Sequence, residues 1–119
     1  MEVKTFDENG YHIIAVYGDV DASSSLQLDN VLQEAVDNQK QKILVDCTHL
    51  EYISSPGIGV FTSRLEDCEK GLIRIALYGM NENTLKVFKI LGLDQLELMP
   101  IVDTKEEAKS RINDLQEDR

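Results

Sequence analysis

The chain of 119 residues is 42% hydrophobic, and its 22 acidic and 12 basic residues give a formal net charge of −10. This length and apolar content suffice for one compact domain, residues 1–119, with a single core that needs neither disulfides nor a structural metal. Because nucleic acids and anionic membranes attract clustered Lys and Arg, the acidic balance argues against both and favours a protein partner.

No signal-peptide pattern follows Met1, and no apolar run approaches the ~18 residues that a membrane-spanning helix needs. We therefore expect a cytoplasmic protein that is neither exported nor inserted into a membrane. Cys47 and Cys68 lack the CxxC spacing of a zinc or redox site, so both are interpreted as reduced core residues.

The first third of the chain predicts a β-hairpin followed by a helix. Met1 to Phe6 and Tyr11 to Tyr17 are rich in β-formers, and the Asn9-Gly10 pair between them is typical of a tight hairpin turn. Serine caps then precede apolar residues at helical spacing, which predicts a helix from about Ser24 to Asn38.

The next stretch predicts a central strand that leads through a turn into a helix. Ile43 to Val45 are consecutive β-formers without a polar residue, as in a strand covered on both faces. Asp46, Thr48 and His49 then supply turn chemistry, and Tyr52 and Ile53 are expected to return the chain to the core.

The helix after this turn is predicted to begin at Pro56 with Ser55 as its N-cap, because a hydroxyl cap followed by proline is a helix-start signal. Gly71 should end this helix. Its inward face is expected to consist of Ile58, Phe61, Leu65, Cys68 and Leu72.

The last part of the chain predicts two more strands and two more helices. Ile73 to Tyr78 and Leu96 to Met99 read as strands, Gly92 stops the first helix, and a capping box at Thr104 to Glu107 opens the second. Residues 116–119 are expected to fray. The expected inward residues of the two helices are Leu85, Phe88 and Leu91, and Ala108, Ile112 and Leu115.

The element order β-β-α-β-α-β-α-β-α predicts an α/β domain, in which about four helices cover a mixed β-sheet of about five strands. The opening hairpin adds an antiparallel pair, and right-handed crossovers make the later strands parallel. The pattern leaves open whether the helices cover one face of the sheet or both.

The chain shows no known spacing of catalytic residues and no known nucleotide-binding motif. His12 lies in a predicted strand and His49 in a predicted turn, and no recognised spacing combines them with a nucleophile. The segment Gly57-Ile-Gly59 lacks the context of a dinucleotide- or phosphate-binding motif. We therefore predict a protein that is not an enzyme and has no catalytic residue, metal site or cofactor.

Gly57 and Gly59 nevertheless require an explanation, because each glycine costs a helix roughly 1 kcal/mol relative to alanine. Close approach of the helix to the sheet, or of another molecule to the helix, would account for them. Ser55 has two compatible interpretations: it is an N-cap, or it also accepts a phosphate, which would meet free N–H groups and the positive end of the helix dipole.

Three segments of the chain together are similar to the landmarks of a known family. They are Gly18-Asp-Val-Asp21, then Ile43-Leu-Val-Asp46 through Tyr52-Ile-Ser-Ser-Pro-Gly-Ile-Gly59, and Phe88-Lys-Ile-Leu-Gly-Leu93. Across essentially its whole length the chain resembles the STAS domain, in the form of the single-domain bacterial anti-sigma factor antagonists.

The resemblance implies a phosphorylation switch. In that family the serine two residues before the first glycine of the helix is phosphorylated by a serine kinase that is also the anti-sigma factor. The matching residue is Ser55, with Ser54 as the alternative acceptor. The unphosphorylated antagonist binds the kinase and frees a sigma factor, and a metal-dependent serine phosphatase resets the phosphorylated form. The implied partner-binding surface consists of Asp21, Ser23, Ser54, Ser55, Pro56, Gly57 and Ile58.

Two positions depart from the family pattern. Many switching members carry an aspartate before the phosphoacceptor and a serine or threonine after it, whereas this chain has Ser54 and Pro56. A second interpretation is therefore a STAS module that is a stable subunit of a lipid-transport complex or a signalling scaffold, in which Ser55 is only a cap. A ligand-binding enzyme domain is a third, although no convergent polar set accompanies the glycines.

Overall fold

The computed structural model describes residues 1–117. Within them, five strands form one mixed sheet in the order β1-β2-β3-β4-β5, with β1 antiparallel to β2 and the later pairs parallel. The strands are β1 (Glu2–Glu8), β2 (Tyr11–Val20), β3 (Lys42–Ile53), β4 (Arg74–Tyr78) and β5 (Ile101–Val102). The helices are α1 (Ser25–Asp37), α2 (Ser55–Thr62), α3 (Leu65–Glu69), α4 (Glu82–Ile90) and α5 (Lys105–Glu117). The predicted fold class and the central position of β3 are confirmed.

The opening hairpin is formed as predicted. Asn9 and Gly10 have φ angles of 53° and 86°, and two consecutive positive φ values are typical of the type I′ turn that joins twisted antiparallel strands. Glu8 and Tyr11 are the first pair of the ladder.

The helices cover both faces of the sheet. Successive parallel strands are neighbours, so right-handed crossovers place α1 to α4 on one face, where Leu28, Phe61 and Phe88 join the larger core cluster. The last helix, α5, follows the edge strand β5 and packs on the opposite face through Ala108 and Ile112.

Strand β3 continues through the residues that were predicted to form a turn. Asp46 does make turn-like bonds, since its Oδ1 accepts from the N–H of Thr48 at 2.9 Å and from its hydroxyl at 2.7 Å. Inside a paired strand this local geometry forms a β-bulge: from Ala15 to Tyr17 on β2, the partner on β3 moves from Asp46 to His49. The turn prediction is wrong because the sheet ladder continues beyond the bulge.

The helix predicted after this strand is two helices, α2 and α3. At the break, the hydroxyls of Thr62 and Ser63 donate to the carbonyls of Gly59, at 3.2 Å, and Val60, at 2.7 Å. Such bonds compete with the helical ladder. The single-helix prediction is therefore wrong, and Leu72, which was expected to face inward, is 53% exposed.

The two predicted glycine stops are confirmed, since Gly71 and Gly92 have φ angles of 78° and 73°. Leu91, however, is 51% exposed and does not face the core. The chain turns at the end of α4 so that the N–H of Leu93 donates to the carbonyl of Phe88 at 2.9 Å, and Leu93 packs against the core instead.

The last strand lies after Pro100 and not before it, so the prediction of a strand from Leu96 to Met99 is wrong. Proline has no N–H to donate to a ladder, but the Pro100 carbonyl accepts from the N–H of Leu77 at 2.9 Å. Pairing with β4 therefore starts at this carbonyl and continues into Ile101–Val102.

The start of the last helix is confirmed, because Thr104 Oγ1 accepts from the N–H of Glu107 at 3.2 Å. Ala108 and Ile112 are fully buried on its inward face. The helix includes 116 and 117, which were expected to fray, whereas 118 and 119 lie outside the described residues.

Both cysteines are buried free thiols, as predicted. Burial raises the pKa of the Cys47 thiol and raises that of Cys68 to about 11, so both groups are protonated at neutral pH. A protonated, enclosed thiol is a poor nucleophile and a poor metal ligand.

Candidate partner-binding site

The candidate site lies at the edge of the sheet where the parallel strands end and the helices begin. Strands β2 and β3 end at Val20 and Ile53, and helices α1 and α2 follow them closely. The N–H of Ser54 donates to the carbonyl of Val20 at 2.8 Å, which joins the start of α2 to the turn at Asp21. In open α/β sheets this carboxyl edge is the usual place for a binding site.

Ser54, not Ser55, caps helix α2. Its backbone is extended, with φ −88° and ψ 171°, and its Oγ accepts from the N–H of Gly57 at 3.3 Å. The helix therefore begins at Ser55, and Pro56 is its second residue. The prediction was wrong by one residue, because a proline is tolerated anywhere in the first turn, where N–H groups have no intrahelical acceptor.

This shift by one residue leaves the Ser55 side chain accessible. Ser55 is exposed, and its hydroxyl makes no hydrogen bond to any residue in 1–117, whereas Ser54 is half-buried and engaged in the cap. No acidic side chain lies in the first turn of α2. The N-terminal end of this helix is thus free to accept a negative group at Ser55.

The turn at Asp21 is held by its own carboxylate. Asp21 Oδ1 accepts from the Ser23 hydroxyl at 2.7 Å, the Ser23 N–H at 3.0 Å and the Ser24 N–H at 3.1 Å. These bonds, foremost that of the Ser23 hydroxyl, lower the pKa of the Asp21 carboxyl below its ordinary value. Asp21 is therefore a fixed, exposed negative charge beside the start of α2.

The two glycines of α2 have different surroundings. A Cβ added to Gly57 would lie 2.8 Å from side-chain carbons of both Ile53 and Val20, so glycine is needed for the helix to approach the sheet. A Cβ added to Gly59 would meet no atom within 4 Å. Gly57 is buried and Ile58 is only 3% exposed, so both lie below the exposed residues of the site and are not accessible to a partner.

Two large apolar side chains belong to this edge and were missed by the sequence analysis. Leu26, in the first turn of α1, is 67% exposed. Tyr52, near the end of β3, is 53% exposed, so the prediction that it lies in the core is wrong. Leu26 is out of phase with the apolar stripe of its helix, and that mismatch is the signal that could have identified it. The exposed residues from the predicted set are Asp21, Ser23, Ser55 and Pro56.

The charged side chains around the ends of β2 and β3 are mainly acidic. The sequence contains no Lys or Arg from 5 to 39 or from 43 to 63, the two stretches that form most of the site. Asp19, Asp21 and Glu51 are all exposed there. The edge therefore presents an acidic surface with isolated apolar side chains.

Neither a cluster of possible metal ligands nor a membrane-spanning helix occurs in the described residues. Within 1–117, no three His, Cys, Asp or Glu side chains are grouped so that they could hold a metal ion. None of the helices in the same part of the chain has the length and apolar content to cross a membrane.

Comparison with known proteins identifies the family. The pattern of the STAS domain matches residues 2–108. The chain belongs to the STAS domain family. Among curated relatives of this STAS domain, the anti-sigma-B factor antagonist of Listeria monocytogenes is 26% identical over 97 residues, which cover 81% of this chain and 83% of that protein.

Solved structures show the same fold. An anti-sigma factor antagonist from Mycobacterium paratuberculosis superposes on this STAS domain with a TM-score of 0.82 at 18% identity, covering 94% of this chain and 93% of the other. The anti-sigma factor antagonist SpoIIAA in its unphosphorylated form superposes with a TM-score of 0.76 at 22% identity, covering 95% and 97%. SpoIIAA of Bacillus in its phosphorylated form gives 0.68 at 22% identity, covering 93% and 99%.

Proposed function

We propose that this STAS domain is an anti-sigma factor antagonist, and that phosphorylation of Ser55 switches off its binding to an anti-sigma serine kinase. The observation that carries the proposal is the free Ser55 hydroxyl at the first position of α2, beside the Asp21 turn. The names of the relatives support the antagonist role, and the structure of SpoIIAA in a phosphorylated form supports a modified state.

Ser55 is the better acceptor of the two serines. Ser54 is half-buried and its oxygen accepts from the N–H of Gly57, so its hydroxyl is less accessible to a kinase than that of the exposed Ser55. The Ser55 oxygen has no such role. The surface for the kinase consists of the exposed Asp21, Ser23, Ser55 and Pro56, together with part of Ser54, while Gly57 and Ile58 shape it from below.

The phosphate acts on the interface and leaves the fold intact. At a helix N-terminus a negative group is favoured by roughly 0.3–1 kcal/mol. A dianion pressed against a partner without a matching cation costs several kcal/mol in the complex. The interface effect is therefore larger, and the modified protein is a folded protein that binds weakly.

In this cycle the STAS domain is a substrate and a binding partner, and the catalysts are other proteins. The unphosphorylated form binds the kinase in the cytoplasm and so frees a sigma factor. The kinase then phosphorylates Ser55 and releases the STAS domain. A metal-dependent serine phosphatase restores the binding form.

The test is a titration of the anti-sigma kinase of the source organism with unmodified protein, phosphorylated protein and the Ser55→Ala and Ser55→Asp variants. We expect phosphorylation to weaken binding by a few hundredfold or more, since ~3 to 4 kcal/mol at 1.4 kcal/mol per tenfold gives that ratio. Ser55→Asp should weaken binding in the same direction. Ser55→Ala should bind like the unmodified protein and accept no phosphate.

The control is Ser54→Ala, which keeps the acceptor and removes the cap. It should lose about 1 kcal/mol of stability and still accept phosphate, whereas Ser55→Ala should leave the melting curve almost unchanged. Equal affinity of the unmodified and phosphorylated forms would exclude the switch. The remaining candidate would then be a non-switching STAS subunit of a lipid-transport complex or a signalling scaffold.

A further inference from the structure

Arg64 is a buried charged residue at the break between α2 and α3. It is only 6% exposed. Its Nη2 donates to the Asp29 carboxylate at 2.6 Å and to the Asp29 carbonyl at 3.2 Å, and its Nη1 donates to Gln33 Oε1 at 2.7 Å. Asp67 Oδ2 lies 3.9 Å from Nη1. A buried guanidinium is tolerated only with such partners, so these contacts fix the end of α2 to helix α1.

Helix α2 is held against the sheet by three buried residues, Ile58, Val60 and Phe61, which join the larger core cluster. It has eight residues, and α1 is its main neighbour among the helices. Its start is held by the close approach of Gly57 to Val20 and Ile53, and its end by Arg64. Because apolar packing is non-directional, these contacts at the two ends of the helix restrict how far it can slide along α1.

The position of α2 on α1 determines the geometry of the partner-binding site. The Asp21 turn leads directly into α1, and Ser55 is the first residue of α2. If α2 shifted along α1, Ser55 would move relative to the Asp21 carboxylate. Arg64 lies at the far end of α2 from the site, so its effect on Ser55 is carried by the helix.

We infer that Arg64 is a positioning residue for the Ser55 site, which it acts on by holding α2 against α1 through Asp29 and Gln33. The role in phosphorylation rests on the proposed function. The role in holding α2 rests on these contacts alone. Both roles can therefore be tested separately.

The first test is hydrogen exchange on the purified protein, comparing Arg64→Met with Ile112→Ala. Ile112 is a fully buried residue of α5 on the other face of the sheet, so its variant destabilises the fold without touching α2. We expect the amides of α2 to exchange at least tenfold faster in Arg64→Met, relative to those of β3, and not in Ile112→Ala. Arg64→Lys should give a smaller increase, because one ammonium can pair with Asp29 but cannot also reach Gln33 in the same fork geometry.

The second test is the rate of Ser55 phosphorylation by the kinase of the source organism, at a temperature where all variants are folded. Arg64→Met should lower kcat/KM at least tenfold, while Ile112→Ala should stay within twofold of the parent. If Arg64→Met does not fold, Arg64→Lys and Asp29→Asn replace it in both tests.

Unchanged α2 exchange or unchanged phosphorylation kinetics in the Arg64 variants would overturn the inference. A kinase that fails to phosphorylate the parent protein would instead contradict the proposed function. The exchange result would still decide whether Arg64 holds α2.

Discussion

Helices α2 and α4 begin at the same edge of the sheet with the same kind of cap, yet they differ in how that cap is used. The two caps, Ser54 and Asn81, are both extended, with φ/ψ of −88°/171° and −71°/167°. In each, the side-chain oxygen accepts from the N–H three residues later: Gly57 at 3.3 Å in α2, and Thr84 at 2.7 Å in α4. The backbone design of the two helix starts is therefore equivalent.

The difference lies in the groups around the caps. The Nδ2 of Asn81 also donates to the carbonyl of Leu50 at 3.2 Å, and Glu82 places a carboxylate in the first turn of α4. The first turn of α2 has no acidic side chain. Because a helix N-terminus favours negative charge, α4 satisfies this preference by itself. In α2 no side chain of the first turn satisfies this preference, and the proposed phosphate on Ser55 would do so.

The largest effect is expected at Gly57, the third residue of α2. The equivalent residue of α4 is the buried Thr84. In Gly57→Ala the new Cβ would press on Ile53 and Val20, two rigid β-branched side chains at 2.8 Å. We expect a loss of about 1–3 kcal/mol in the free energy of unfolding, measured by urea denaturation. Unchanged stability would show that α2 can move away from the sheet without cost.

The two caps should differ in a second experiment. Asn81→Ala should cost about 1–2 kcal/mol, because it removes a short cap bond and the bond to Leu50, whereas Ser54→Ala should cost about 0.5–1 kcal/mol. Thermal unfolding measures both. Ser54→Asp, which keeps a capping oxygen, is the matched control and should restore most of the loss. Equal losses at the two caps would remove the distinction between the helices.

The smallest effect, and the one of opposite sign, is expected at Gly59. This residue is exposed with open space around it, and the equivalent position of α4 is occupied by Lys86. Gly59→Ala should stabilise the protein by about 0.5–1 kcal/mol, since alanine is the better helix former. The same variant should be titrated with the kinase: weaker binding would mark Gly59 as a point of close partner approach. A loss of stability would contradict the prediction.

The parts of the fold that the sequence predicted well are those governed by neighbouring residues. The Asn9-Gly10 turn, the glycine stops and the Thr104 cap depend on local conformation alone, and all were confirmed. Asp46 misled the prediction because the same carboxylate bonds that make a turn make a bulge when the strand stays paired. The contact between Arg64 and Asp29 joins residues that are 35 positions apart along the chain, so local signals do not predict it.

The site was predictable in outline only. The cap signals indicated a helix start near Ser55, but the choice between Ser54 and Ser55 depended on a bond to Gly57 that sequence spacing alone does not resolve. That Asp21 lies beside this helix start was an implication of the family resemblance. The exposure of Tyr52 and Leu26 was not predicted, because each lies near the end of a strand or helix. There, exposure depends on how neighbouring elements pack and not on local propensity.

The acidic character of the surface around Ser55 has a kinetic consequence. Because no Lys or Arg occurs from 5 to 39 or from 43 to 63, the exposed Asp19, Asp21 and Glu51 give this surface a negative potential. Added salt should slow association with a basic contact surface and accelerate association with an acidic one, by screening over about 10 Å at 0.1 M. The salt dependence of the association rate therefore reports the charge of the partner's contact surface before any complex has been crystallised.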